Sequence, residues 1–488
     1  MAKLTNTITA PKAPFSPEDV EAVIDNMLKN IATASHSLTR VENNDVVVAM
    51  PGAVIAAPAL PNNEFSQAYY FYWVRDGAIV INAVADLYVR CTDKKRKAYY
   101  REILITYLDF VEKVQSQPWL NGIDVLGEPK FNVDGTLWTG DWGRPQIASS
   151  GDQAIALTKI ATILLDEGKE EDIALVERIY NPNPKSLLKA NLEYCATLWS
   201  APSVNMWEEL SGNHFSVRFM QRSALLIGAV LAERLGDINA AAYYRNTALH
   251  IANMLETHWH EHLGYYFETP KAENQQGGGI DMSVLISIFY GQLEGSDDEF
   301  AVTQSRVLST AFYVRSVFKD LYQINVARHI KDKHCRAWLI GRYEIDIYDG
   351  NRSIYGNPWF LCSNLLAALY YSIIKELLSG KKILVNFLVQ QFFHQVAPGI
   401  EVPLNDTIQS SSPYFSALIE HLFQDADAIL EIIKDHCVTY DDNSRMHMSE
   451  QIDRFSGAQA SASDLSWSYS SYISAVLERE KAVNLLKK

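Results

Sequence analysis

Long stretches of helical periodicity constrain this chain more than any other feature of its sequence. In residues 16–31, SPEDVEAVIDNMLKNI, the apolar residues recur at intervals of three and four, which places them on one face of a helix. Ser16 suits the N-cap, Pro17 suits the first helical position, and two acidic residues follow at the positive end of the helix dipole. Further helical patterns lie around residues 77–90, 98–115, 153–167, 218–235, 238–257, 359–376, 415–436 and 465–482.

Strand-like alternation is scarce between these helices, and the connecting stretches carry Gly, Pro, Trp and Asp. The sequence contains no Ser-, Thr- or Pro-rich linker, no low-complexity tail and no short repeat. We therefore expect an all-α fold with its special residues in the loops. Residues 1–488 are expected to form a single domain, in which residues 1–15 are an extended N-terminal arm.

The composition narrows the classes of partner. A formal net charge of -15 argues against nucleic acid and anionic membranes, because both need clustered Lys and Arg. The 48% of hydrophobic residues can fill a large core. The chain also has 10 Trp, 25 Tyr and 19 Phe, whose flat faces suit sugar rings.

Cysteine usage and the N-terminus indicate little about the compartment. The five cysteines are scattered without a CxxC pair, so neither a disulfide framework nor a zinc site is expected. The first twenty residues lack a continuous apolar segment, so no signal peptide is visible. The longest uncharged stretch, residues 353–374, is interrupted by Asn and Pro and predicts a buried helix instead of a membrane span.

Two adjacent glutamates stand out in residues 205–215, NMWEELSGNHF. Neighbouring side chains diverge on a helix or a strand, so Glu208 and Glu209 do not easily serve one reacting bond as a pair. Beside Trp207, one of them would be partly desolvated and would keep a proton for general acid catalysis. The alternative is an ordinary solvated acidic pair at a helix end.

A second candidate carboxylate is Glu450, within the sequence MHMSEQIDRFSG of residues 446–457. Its polar, loop-like surroundings predict a solvated, hydrogen-bonded glutamate that stays ionised and acts as a base. The alternative is an ordinary loop carboxylate.

Three further segments combine aromatic and charged residues: YYFYWVRDGAIV (69–80), GEPKFNVDGTLWTGDWGRPQ (127–146) and GRYEIDIYDGNRSIYGNPWFLC (341–362). In the first, Arg75 and Asp76 could hydrogen-bond sugar hydroxyls while the rings stack on the sugar. An ion pair at the start of the following helix is the alternative. The second and third segments hold more Trp, Gly and charged residues than a loop needs if it only connects two helices.

Other chemistries lack their sequence patterns. The stretch HWHEHLGYY (258–266) has three histidines but no HExxH, which gives metal binding little support. The chain contains no nucleotide-binding glycine motif and no GxSxG serine elbow.

Taken together and in order, FYWVRDGA, GEPKFNVDGTLWTGDWGRPQ, WEELSGNHF, GRYEIDIYDG with GNPWFLC, and SEQIDRFSG with DLSWSY resemble the glucoamylases, the inverting family 15 of glycoside hydrolases. The resemblance implies an (α/α)6 barrel and release of β-D-glucose from the non-reducing ends of α-1,4-glucans, with slower action on α-1,6 branches. It implies starch, dextrins or maltooligosaccharides as substrates and no cofactor. We also expect a monomer, secreted if it follows the family's habit and otherwise cytoplasmic.

By position, the resemblance implies that Glu208 is the general acid and Glu450 the general base. Inversion then requires a separation of roughly 6.5–9.5 Å between the two carboxyl groups, which leaves room for a water. The other family positions bind substrate or line the pocket: Glu209 on the leaving side; Arg75, Asp76 and Arg342 around the glucose at the cleaved end; Trp142 over the substrate near the acid; Tyr69, Trp73, Trp207, Trp359 and Trp467 as aromatic walls; and Gln451 directly after the base.

The chain departs from the family pattern in four ways. Asn205 replaces an aspartate that would help to hold the acid protonated, and IASSGDQAIAL follows WGRPQ where the family has Asp-Gly-Pro-Ala, so that Asp152 is the candidate equivalent. Glu344-Ile345-Asp346 replaces Pro-Glu-Asp. No starch-binding module is expected, so soluble dextrins are expected as substrates rather than granules. Two alternatives remain: a relative that cleaves dextran or trehalose, and a non-catalytic glucan-binding protein.

Overall fold

The structure, a computed structural model, describes residues 8–42, 45–58, 68–270, 279–293, 295, 298–350 and 355–487. Part of the predicted N-terminal arm, residues 1–7, lies outside the described residues. Residues 8–15 form no regular element.

Helices make up most of the described chain. They are α1 (Pro17–Leu28), α2 (Val74–Arg90), α3 (Lys94–Gln115), α4 (Ala148–Glu167), α5 (Ile173–Ile179), α6 (Leu187–Leu198), α7 (Phe215–Arg234), α8 (Ile238–Leu255), α9 (Met282–Tyr290), α10 (Ser305–Leu321), α11 (Gln323–Lys331), α12 (Phe360–Leu378), α13 (Phe387–Val396), α14 (Phe415–His436) and α15 (Ser466–Leu486). Short 3-10 helices cover Val125–Gly127, Glu170–Asp172 and Glu256–His258.

The strands are short and pair as two-stranded antiparallel ribbons. They are β1 (Thr39–Glu42), β2 (Asp45–Val48), β3 (Tyr72–Trp73), β4 (Lys130–Phe131), β5 (Ser203–Val204), β6 (Ser211–Gly212), β7 (Trp259–His260), β8 (Tyr265–Tyr266), β9 (Ile383–Leu384), β10 (Thr407–Ile408), β11 (Gln451–Ile452) and β12 (Gln459–Ala460). The expected all-α fold class is therefore confirmed, and among the described residues the strands lie in the connecting loops.

The chain divides into two compact units. Unit I comprises Asp25–His258 and Asp464–Ser470, and unit II comprises Met1–Ile24, Trp259–Ser463 and Ser471–Lys488. In unit I, α4 packs against α2, α6 and α7, and α7 packs against α8. In unit II, α12 packs against α9 and α14, and α10 packs against α13. The expectation that residues 1–488 form a single domain stays a prediction.

The start of α1 follows the sequence-based expectation. The Asp19 backbone N–H donates to the Ser16 hydroxyl at 3.1 Å, and the Ser16 backbone N–H donates to the Asp19 carboxylate at 2.9 Å. This reciprocal pair satisfies two backbone donors that a helix start leaves free. The helix ends at Leu28, three residues before the predicted end.

In the part of the chain that the structure describes, two helices combine the length and hydropathy of a membrane span with deep burial. In Phe215–Arg234 and Phe360–Leu378, 83% and 94% of the apolar window is buried inside the protein. A helix that is apolar on all sides and covered by other helices is a core helix. The buried helix predicted within residues 353–374 is confirmed as α12, which also matches the helical pattern at 359–376; residues 353 and 354 lie outside the described residues.

Gly52 lies where a side chain has no room. Its φ is +92°, and a Cβ built on it would lie 2.1 Å from the Thr106 carbonyl oxygen of α3. We expect Gly52→Ala to lower the free energy of unfolding by about 2–4 kcal/mol, because left-handed strain and overlap with backbone add together.

Gly168, which follows α4, provides the matched control. Its φ is +62°, but nothing lies within 4 Å of the position that an alanine methyl group would take. Gly168→Ala should therefore cost only about 1 kcal/mol, from backbone strain alone. Thermal unfolding followed by circular dichroism measures both variants. Equal losses would show that the contact with Thr106 is not what excludes a side chain at Gly52.

Candidate active site

In unit I, a short hairpin presents the adjacent glutamates. Strands β5 and β6 pair antiparallel, with Val204 opposite Ser211, and residues 205–210 form the tip. Glu208 has a φ of +65°, a left-handed conformation that costs energy for a residue with a side chain. The half-buried Glu208 and the exposed Glu209 thus differ in environment, and the pair lies at a hairpin tip instead of a helix end.

Hydrogen bonds fix the Glu208 carboxyl through one oxygen. The Trp73 indole N–H donates to Oε1 at 3.1 Å, and the Gln146 amide donates to the same atom at 2.9 Å. Oε2 has no hydrogen-bond partner among the described residues. One oxygen therefore orients the group while the other can carry a transferable proton.

Next to Glu208, a buried ammonium lies inside an aromatic cage. The Lys130 Nζ is between 4.1 and 4.5 Å from the centroids of four rings, those of Phe71, Trp73, Trp138 and Trp142. Burial lowers the pKa of Lys130 to about 8, and the Glu208 carboxylate opposes this shift. Attraction between the cation and the ring faces holds these rings in a fixed arrangement.

The tryptophan loop is further held by Arg144. Its guanidinium donates to the backbone carbonyls of Trp138 and Gly140, both at 3.0 Å, and pairs with the buried Glu128. The Trp142 indole N–H is buried and has no partner among the described residues. A rigid indole ring suits a sugar, whose flat face can stack on it.

Arg75 and Asp76 lie in the first turn of α2 as an ion pair 3.1 Å apart. Arg75 also donates to the Met206 carbonyl at 2.6 Å and lies 4.8 Å from the Trp467 ring centre. Burial raises the pKa of Asp76, and the neighbouring Arg75 opposes that shift. The pair thus connects the first turn of α2 to the Glu208 hairpin, and it is more than a helix cap.

His214 is a buried residue of the segment 205–215, which also holds Glu208. It does not act as an acid or base near neutral pH. Burial lowers the pKa of His214 to about 4, against the effect of its backbone hydrogen bonds. Its Nε2 lies 3.1 Å from the Ser203 carbonyl oxygen. His214 therefore anchors the hairpin that carries Glu208.

In unit II, Glu450 directly precedes β11. Its Oε2 accepts hydrogen bonds from the Gln451 amide at 3.0 Å and from the Ser461 hydroxyl at 2.5 Å. The Gln451 amide oxygen in turn accepts from Asn357 at 3.1 Å. Donors aimed at a carboxylate favour its ionised form, which a general base needs. The side chain is only 5% exposed, so the expectation of a solvated loop residue was wrong.

Unit II also contains the buried residue Arg342. Arg342 donates to both oxygens of Asp346, at 2.8 and 2.5 Å, and its guanidinium is 5.1 Å from the Trp359 ring centre. Trp359 also forms a β-bridge with Gln451, the residue after Glu450. Asp346, part of the departure from the family's Pro-Glu-Asp, therefore fixes the guanidinium, while Glu344 and Ile345 are exposed.

Comparison with known proteins decides the family. The family model "Glycosyl hydrolases family 15" matches residues 38–477. The chain belongs to this family. It is 30% identical over 487 residues to a glucoamylase of Blastobotrys adeninivorans, covering 98% of this chain and 75% of the relative. It is 30% identical over 439 residues to a probable glucoamylase of Schizosaccharomyces pombe, covering 88% and 85%.

A solved family 15 structure has the same fold. The glucoamylase of Saccharomycopsis fibuligera superposes with a TM-score of 0.80 at 26% identity, covering 99% of this chain and 98% of that one. The fold of this chain is therefore that of the family 15 (α/α)6 barrels.

The predicted site residues of this family 15 chain fall into two groups. Unit I holds the Glu208 group, and unit II holds the Glu450 group. The first group consists of Tyr69, Trp73, Arg75, Asp76, Trp142, Trp207, Glu208, Glu209 and Trp467. The second consists of Arg342, Trp359, Glu450 and Gln451. The 6.5–9.5 Å separation expected for an inverting pair stays a prediction.

Two residues that contact the first group were not predicted. Lys130 and Gln146 both lie in the segment 127–146, but neither was singled out. In the sequence, neither residue belongs to a spacing pattern that would mark it as functional. The role of Lys130 depends on β3 and β4, which pair Trp73 with Lys130, and the role of Gln146 depends on its hydrogen bond to Glu208.

The unusual Asn205 has a clear structural role. It is 1% exposed, and its Oδ1 accepts from the backbone N–H groups of Glu209 at 2.9 Å and Leu210 at 3.2 Å. These bonds close the turn that carries Glu208. An aspartate could accept the same bonds, so the substitution removes a charge and keeps the turn.

Asp152 in α4 makes stability depend on pH. Burial raises the pKa of Asp152 to about 8; the Arg75 charge opposes this and Asp76 adds to it. Between pH 3.8 and about 8 the folded chain keeps a proton that the unfolded chain has released, so stability falls as pH rises through this window.

We expect Asp152→Asn to remove this dependence, because asparagine does not titrate. In urea unfolding at pH 5, 6 and 7, the free energy of unfolding of the variant should rise relative to that of the parent by up to about 1.4 kcal/mol per pH unit. A difference between the two proteins that does not change with pH would contradict the assignment.

Proposed function

We propose that this chain is an inverting exo-glucosidase that releases β-D-glucose from the non-reducing ends of α-1,4-glucans and maltooligosaccharides, and more slowly from α-1,6 linkages. The observation that carries the proposal is the Glu208 carboxyl in a family 15 chain, oriented by Trp73 and Gln146 through one oxygen. Starch-like glucans are the proposed substrates because the relatives named above are glucoamylases.

Glu208 is the proposed general acid. It donates its proton to the glycosidic oxygen as the bond to the anomeric carbon breaks, so the leaving sugar departs as a neutral alcohol. Its free Oε2 supports this role, since Oε1 already accepts two hydrogen bonds.

Glu450 is the proposed general base. It removes a proton from the water that attacks the anomeric carbon from the opposite face, and this attack inverts the configuration. The hydrogen bonds from Gln451 and Ser461 orient the carboxylate, with both donors on Oε2.

The remaining residues are proposed to bind and orient the substrate. Arg75, Asp76 and Arg342 hold the hydroxyls of the terminal glucose, and Glu209 binds on the leaving side. Their ion pairs fix the guanidinium groups before substrate arrives, which lowers the entropy cost of binding. The aromatic side chains around Lys130 supply stacking surfaces.

Maltoheptaose labelled at its reducing end tests exo-action. We expect early samples to contain free glucose and labelled maltohexaose, because one unit leaves from the unlabelled end at a time. Short labelled fragments would indicate internal cleavage and contradict the proposal. Parallel incubations with dextran and trehalose test the alternative linkage choice, and absence of any product from all three would favour a non-catalytic glucan-binding protein.

A further inference from the structure

Lys130 is a buried residue of unit I to which the proposed reaction gives no role. It lies on β4, where its backbone pairs with Trp73 of β3, and it is only 3% exposed. Among the described residues, its ammonium makes neither a hydrogen bond nor an ion pair. A buried charge is costly unless neighbouring groups stabilise it, so the surrounding aromatic rings must do so.

The four rings of the aromatic cage also contact one another. Phe71 contacts both Trp73 and Trp138. Trp142 closes the cage, because it contacts the same two tryptophans. The four pairs have ring centroids 5.6–6.2 Å apart and meet at angles of 65–88°, so that neighbouring rings stand edge to face. The ammonium lies within 4.5 Å of every ring centroid and attracts all four rings at once.

One ring of the cage contacts the proposed general acid. The Trp73 indole N–H donates to Glu208 Oε1 at 3.1 Å, while the Trp73 ring forms one wall around Lys130. The position of this donor therefore depends on the position of the ring. If Trp73 moved away, Gln146 would be the remaining side chain among the described residues that holds the Glu208 carboxyl.

Two charged groups within the described chain face the Lys130 ammonium, those of Glu208 and Arg144. Burial lowers the pKa of Lys130 to about 8; the Arg144 charge adds to this decrease and the Glu208 carboxylate opposes it. The ammonium can therefore be discharged at mildly alkaline pH, and its attraction to the ring faces is lost with the charge.

We propose that Lys130 is a positioning residue for the proposed general acid: its ammonium keeps the aromatic cage closed, and the cage holds Trp73 where it orients the Glu208 carboxyl. The inference rests on the proposed function, because it concerns the same proton transfer. Lys130 itself transfers no proton. Loss of its charge should therefore slow the protonation of the leaving sugar.

Lys130→Met removes the charge and keeps the length of the side chain. We expect kcat for maltotriose to fall about tenfold, the loss expected when one hydrogen bond to the acid is misplaced. On α-D-glucosyl fluoride, whose leaving group needs little protonation, the variant should stay close to the parent rate. Lys130→Arg keeps a charge in the cage and should retain more of the maltotriose activity than Lys130→Met. Equal losses of Lys130→Met on the two substrates would overturn the proposal.

Trp73→Phe tests whether Lys130 acts through the indole donor, since it removes the N–H and keeps a ring. In the Trp73→Phe background, Lys130→Met should cause little further loss of kcat for maltotriose, because the hydrogen bond is already gone. A further loss as large as that in the parent would contradict action through Trp73.

Lys189 offers a matched control in the same unit. It is also buried and lies 5.5 and 5.9 Å from the ring centroids of Tyr180 and Tyr244, but it pairs with Asp237 at 2.7 Å and belongs to neither group of site residues. Lys189→Met should leave the ratio of the maltotriose rate to the fluoride rate unchanged.

Tryptophan fluorescence tests the cage without substrate, and it remains available if Lys130→Met does not fold. Because Asp152 titrates near the same pH, the readout is the difference between the parent and Lys130→Arg, whose side chain stays charged. This difference should change with a midpoint near pH 8, and a flat difference would overturn the proposal. A parent that hydrolyses neither substrate contradicts the proposed function, whereas an active parent with equal losses in Lys130→Met contradicts only the positioning role.

Discussion

Glu208→Gln is expected to lower the rate of glucose release from maltotriose by about 10²–10⁴-fold, because glutamine cannot donate the proton that the leaving sugar needs. Its amide oxygen can still accept the hydrogen bonds from Trp73 and Gln146, so the hairpin should keep its shape. Steady-state release of glucose, measured with purified parent and variant, gives the ratio.

A substrate with a better leaving group separates a chemical loss from a structural one. Fluoride leaves with little protonation, so Glu208→Gln should retain far more of its activity on α-D-glucosyl fluoride than on maltotriose. Glu209→Gln, at the neighbouring position, is the matched control and should mainly raise KM for maltotriose. Parent-like turnover of maltotriose by Glu208→Gln would remove Glu208 from the mechanism.

Glu450→Gln is expected to lower turnover of both substrates by about 10²–10⁴-fold, because each still requires a deprotonated water. The amide oxygen can accept from Gln451 and Ser461 in place of the carboxylate, so large unfolding is not expected. Parallel assays with maltotriose and α-D-glucosyl fluoride therefore give different patterns for the two glutamine variants.

Glu401→Gln, an exposed loop carboxylate of the same unit, is the control for Glu450 and should leave both activities unchanged. Rapid fluoride hydrolysis by Glu450→Gln, close to the parent rate, is the outcome that would contradict a base role.

The sequence predicted helices well where apolar residues line one face of the helix and polar residues line the other. The pattern at residues 415–436 coincides with α14, and the start of α1 was predicted because Ser16 and Pro17 are local signals. Helix α9, MSVLISIFY, was not predicted, because it is apolar nearly all round and shows no stripe. Helix α10 was also missed, and its N-cap Gln304 makes no capping hydrogen bond.

The candidate site was predicted through family resemblance more than through local chemistry. The hydrogen bonds around Glu450 could not be read from its polar neighbours. They involve Ser461, which donates to its Oε2, and Asn357, which donates to Gln451, and both residues lie outside the segment 446–457. Likewise, the cage around Lys130 needs β3, β4 and the loop at residues 138–142 to converge. Such environments arise from tertiary contacts, which a single sequence pattern does not encode.

The stereochemistry of the first product tests the central claim most directly. Proton NMR of maltotriose hydrolysis, recorded before mutarotation, should show the β-anomer of glucose appearing first, because a single attack by water inverts the α-linked carbon. Initial formation of the α-anomer would contradict inversion and, with it, the proposed division of roles between Glu208 and Glu450.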